Sequence, residues 1–72
     1  MFNIIERKEE VETQKFISEF TISLGENRNS LIGFVENYIS GFDVSGYDGR
    51  HDRWWGRFKN SSVNSYYYIN TI

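Results

Sequence analysis

The chain has no cysteine and no proline, one histidine and one methionine. Without cysteine there is neither a disulfide nor a thiolate metal site. A single histidine is far from the roughly four ligands a zinc ion takes. Both common staples of small folds are missing, although 72 residues make one domain, residues 1–72, that buries only about 60% of the surface its unfolded form exposes. Turns must be built from glycine, asparagine and serine. No apolar run approaches the roughly 20 residues that cross a bilayer, and the N-terminus lacks a basic-then-apolar leader pattern. The expectation is a cytoplasmic protein with no membrane partner and no cofactor. Strong charge of one sign is also absent: a net −2 argues against a dedicated DNA binder and against an acidic mimic of DNA.

Aromatic side chains are plentiful. Phe, Trp and Tyr make up 18% of the residues, and each ring can bury roughly 150–250 Å². A core or a partner surface must use them, because nothing else holds so short a chain together. Charge is segregated along the sequence. Residues 1–27 carry six acids against Arg7, Lys8 and Lys15, whereas residues 50–72 carry Arg50, Arg53, Arg57 and Lys59 against Asp52 alone.

The segment "NSLIGFVENYISGF" repeats apolar residues at helical spacing: Leu31, Phe34, Val35, Tyr38 and Phe42, with Ile32 and Ile39 widening the stripe. Asn29 or Ser30 can cap its start and Gly41 suits its end. Phe34 lies at the centre of the stripe. Upstream, "KFISEFTISL" alternates as a half-buried strand, with Phe16, Ser18, Phe20, Ile22 and Leu24 on one side. A short strand at 2–6 is expected to pair with it. Downstream, Asp48-Gly49 is the dipeptide favoured in a type I′ hairpin turn, and "SYYYINTI" reads as a last strand by its aromatic and β-branched content. The fold class is therefore α+β: a small antiparallel sheet of four to five strands with one amphipathic helix on one face, in the order ββαβββ.

One helix covers one face of such a sheet. If the connection at 60–64 pairs Phe58 with Tyr66, then Trp54, Phe58, Tyr66 and Tyr68 share a face, and Trp55, Tyr67 and Ile69 share the other. The face with Trp55, Ile69 and Val44 is the more aliphatic and reads as the core. The uncovered aromatic face then becomes an interaction surface, or is buried in a symmetric homodimer.

"RHDRWWGRFK" alternates cations with rings, the pattern by which small sheets stack single-stranded bases and contact phosphates. The same alternation arises in a strand whose rings fill a core and whose charges are solvated. His51, between Asp48 and Asp52, is chemically able to act in acid–base catalysis, but no nucleophile motif, phosphate-cradling glycine loop or set of metal ligands accompanies it. A polar turn explains it better. "ERKEEVE" is a solvated segment or an acidic docking patch. In "YYY", residues 66–68, the middle tyrosine faces away from its neighbours, so at least one of the three is exposed.

These features together, a tiny cysteine-free and proline-free domain rich in Asn, Ile and Tyr with no catalytic signature, resemble in composition the small accessory proteins with which phages block host machinery, anti-CRISPR proteins among them. The resemblance implies an inhibitor or adaptor acting in the host cytoplasm by binding a protein. The residues expected to carry the contact are Trp54, Phe58, Tyr66, Tyr68, Arg50, Arg53, Arg57 and Lys59. The alternative is a single-stranded nucleic-acid binder using the strand at 50–59, and behind it a sponge for a small nucleotide.

Overall fold

The computed structural model describes all residues, 1–72. Its elements are β1 (Phe2–Glu10), β2 (Phe16–Gly25), α1 (Arg28–Ile39), β3 (Val44–Asp48), β4 (Arg53–Arg57) and β5 (Val63–Thr71). This is the expected ββαβββ order. The five strands form one antiparallel sheet in the order β2-β1-β5-β4-β3. The helix carries the chain from one edge, β2, to the opposite edge, β3, and packs on one sheet face on the way. The chain then returns by a β3-β4-β5 meander, so that β5 fits between β4 and β1.

Asn27 caps the helix, two or three residues before the expected Asn29 or Ser30. Its side-chain oxygen accepts from the backbone N–H groups of Asn29 (2.9 Å) and Ser30 (3.3 Å), donors that the first helical turn leaves unpaired. Leu31, Val35 and Ile39 form the buried row, one turn apart. Phe34, expected at the centre, is 45% exposed. It follows from the wheel: Phe34 lies about 100° round from Val35, and the buried arc turns toward Ile32 instead. Phe34 stacks on Tyr38 at the margin of the helix.

Ile4, Leu31, Val35, Ile39, Trp54, Tyr67 and Ile69 form the core between helix and sheet, with Phe2, Ile22, Ile32 and Phe42 packed around them. Trp54 is thus a core residue, only 5% exposed. It pairs with Tyr67, whereas the expected Phe58–Tyr66 pairing differs from this register by an odd number of residues. An odd shift moves every side chain of β4 to the other face relative to β5. Trp55 accordingly leaves the core for the uncovered face, and Val44, also expected inside, is exposed there.

Two further expectations change. β1 runs to Glu10 rather than ending near residue 6, so "ERKEE" is strand, with Arg7 bonded to Glu9 (2.6 Å) and Glu19 (3.4 Å). The β3–β4 connection is the four residues 49–52 rather than a two-residue turn. Its left-handed residue is Asp52 (φ 49°), and no glycine has positive φ. The Asp48 carboxylate stands in for the turn's backbone partners: it accepts from the Arg50 N–H at 3.1 Å and bonds His51 Nδ1 at 2.8 Å.

Candidate functional site

β-Strand parity assigns alternate residues to the face that α1 leaves uncovered. β4 sends Arg53, Trp55 and Arg57 there, and β5 sends Tyr66 and Tyr68. Trp55 lies opposite Tyr66 on one side and Gly46 of β3 on the other. A Cβ at Gly46 would come to 3.2 Å from the indole, so the glycine lets the ring settle against β3.

Arg53 is tied down within this face. Its guanidinium lies 4.0 Å over the Tyr66 ring, while Nη1 donates to the Tyr68 hydroxyl at 2.7 Å and Nε to Asp48 Oδ2 at 3.3 Å. Stacking and two hydrogen bonds hold Arg53, Tyr66, Tyr68 and Asp48 as one unit. The His51 hydrogen bond is the main cause that holds the Asp48 carboxyl below the ordinary aspartate range, so it is a carboxylate at neutral pH. Arg57 differs: its Nε is buried and has no hydrogen-bond acceptor. Beside it is a hollow of about 330 Å³ walled by Asp48, Arg53, Trp55, Asn64 and Tyr66.

The expected contact residues therefore divide. Arg53, Arg57, Tyr66 and Tyr68 come together on the uncovered face. Trp54 is buried on the opposite face. Phe58 lies just past β4 on the helix side, 53% exposed, with its ring 4.8 Å from that of Phe42. Arg50 and Lys59 project from exposed turns, the Lys59 backbone N–H donating to Asp43. Trp55, absent from the expected set, is central to the face. Gly56 lies with Trp54 on the helix side, where a Cβ at residue 56 would collide with Phe42, which leaves Trp55 for the uncovered face.

A second hollow, about 430 Å³, lies on the helix side beyond the C-terminal end of α1, where Ile17, Tyr38, Phe42 and Phe58 surround Tyr67. Tyr67 donates to Glu6 Oε2 at 2.8 Å. Burial first, and that hydrogen bond second, push its phenol far above the ordinary tyrosine range. It remains protonated at physiological pH and serves as a donor.

No three His, Cys, Asp or Glu side chains stand close enough together to hold a metal ion. No helix is long and apolar enough to cross a membrane. No protein-family model matches the chain, and no curated protein or solved structure matches it.

Proposed function

We propose that the chain is a small non-enzymatic binding protein, an inhibitor or adaptor that engages a protein partner through the uncovered sheet face. Trp55, Tyr66 and Tyr68 are its aromatic contacts and Arg57 its polar one. The observation that carries this reading is Arg57, whose buried Nε faces no acceptor beside a ring-lined hollow. A buried donor without a partner costs about 1–3 kcal/mol. The guanidinium borders that hollow, where a partner's carboxylate or main-chain carbonyl would gain a charge-assisted bond from its Nη groups. Large rings around a desolvated arginine are also the composition of interface hot spots.

A protein is favoured over a nucleic acid because the cations are largely neutralised within the fold. Arg7 is paired with Glu9 and Glu19, Arg28 with Asp52, and Arg53 with Asp48. A single-stranded polyanion needs a row of free cations along its backbone, and this face retains one, Arg57. His51 bonds Asp48 through Nδ1 in an exposed turn and lines neither hollow, so the acid–base reading has no enclosed site beside it. On this reading the chain is an inhibitor of the phage anti-defence type that its composition resembles.

Affinity capture from the native host, with and without nuclease, tests the choice. A protein partner retained after nuclease treatment, together with weak binding to single-stranded oligonucleotides, is expected. Tight oligonucleotide binding that falls steeply with salt, with no partner left after nuclease, would transfer the function to nucleic acid.

A further inference from the structure

β2 is an edge strand of ten residues, yet it carries Phe16, Ile17, Phe20 and Leu24 at 56%, 49%, 62% and 59% exposure. Proteins protect free edges with short strands, charges or proline. The other edge, β3, is short, with five residues. β2 has one charged residue, Glu19, no proline, and an outer row of backbone groups with no neighbouring strand. Its unusual feature is the placement of two bulges. The register with β1 shifts between Ile4 and Ile5 and again between Lys8 and Glu9, which leaves Ile22 and Ile17 as the extra residues on β2. Each extra residue falls on the helix side with its neighbour: Ile22 packs on the core, and Ile17 lines the hollow beside Tyr67. Phe16 meets Arg7 on the uncovered face, the Arg7 guanidinium lying 4.9 Å from its ring.

The resulting order of faces from Phe16 to Leu24 is a palindrome about Phe20. Phe16, Glu19, Thr21 and Leu24 lie on the uncovered side, and Ile17, Ser18, Phe20, Ile22 and Ser23 on the helix side. In an antiparallel pair, residues directly opposite each other lie on the same face. A two-fold axis at Phe20 sets Phe16 opposite Leu24, Ile17 opposite Ser23, Ser18 opposite Ile22 and Glu19 opposite Thr21. Every pair matches in face, and each bulge meets the other bulge. The same axis sets Lys15 opposite Gly25 and Gln14 opposite Glu26, and opposes no two like charges.

We propose that β2 is a dimerisation edge, through which two copies of the chain pair antiparallel about Phe20 and join their sheets. This is separate from the uncovered face and holds whatever that face binds. The assembly closes, because the only free edges left are the two five-residue β3 strands. The exposed rings of β2 gain cross-strand partners, and the uncovered faces of the two copies become one continuous surface.

Cysteine cross-linking tests the register directly, since the chain has no cysteine of its own. Opposed Cα atoms about 4.5–5.5 Å apart lie within disulfide range. Phe20→Cys should cross-link to a covalent dimer on mild oxidation, and a Thr13→Cys control in the β1–β2 turn should not. Sedimentation at micromolar concentration should give twice the monomer mass. Phe20→Lys, with two cations opposed on the axis, should weaken association about tenfold or more with unchanged circular dichroism. A wild-type monomer at high concentration would overturn the proposal. So would a dimer that survives Phe20→Lys, or one whose Phe20→Cys form cross-links no faster than the control.

Discussion

Adjacent strand residues point to opposite faces, and in Trp54 and Trp55 that parity separates a core ring from a surface ring. Trp54 is closed in by Tyr67 across the β4–β5 pair and by the Tyr47 ring, 4.8 Å away. Trp54→Ala should cost about 3–5 kcal/mol, and Trp55→Ala clearly less, read from urea midpoints. Phe34→Ala should cost about 1 kcal/mol, because the side chain is already half in water. A larger loss for Trp55→Ala than for Trp54→Ala would mean that the β4 faces are reversed. The contents of the site were partly legible at this scale: Arg53, Arg57, Tyr66 and Tyr68 were identifiable by residue type and by their clustering. Trp55 was not, because the choice between it and Trp54 rests on a register that only the length of the β4–β5 connection decides.

Among the elements, α1, β5 and the β3–β4 hairpin were readable from periodicity and composition, since each carries its own pattern. Their boundaries depended on single side chains. The helix begins where Asn27 can accept from two orphan N–H groups, and nothing in the apolar stripe distinguishes Asn27 from Asn29 or Ser30. Asn27→Ala should lower stability by about 1 kcal/mol, while Asn29→Ala and Ser30→Ala should leave the urea midpoint nearly unchanged. The reverse ranking would shift the helix start. In β2, a simple alternation was read where two bulges break it. A bulge adds a residue to one strand of a pair, so it is a property of β1 and β2 together and leaves no mark in β2 alone. That is why Phe16 and Leu24 part company from Phe20 and Ile22.

At the scale of the whole molecule, the acidic and basic halves of the chain do not remain apart. β1 lies between β2 and β5, so Glu6 meets the Tyr67 hydroxyl and Arg7 lies opposite Tyr66. The basic strand β4 is compensated by Asp48 of β3 next to it. Segregation along a sequence becomes interleaving in an antiparallel sheet whose first and last strands are neighbours. The sheet instead has an asymmetry of cover: one helix closes one face, and the other keeps its rings and one unpaired arginine. Partner binding should therefore map to that face alone. The most direct measurement is calorimetric titration of the captured partner against Trp55→Ala and Phe58→Ala, both checked for wild-type circular dichroism. Trp55→Ala should weaken binding by about 2 kcal/mol or more, roughly 30-fold, while Phe58→Ala on the helix side stays within about twofold. Unchanged binding by Trp55→Ala, with the loss falling on Phe58→Ala, would contradict the assignment and place the partner in the hollow beside Tyr67.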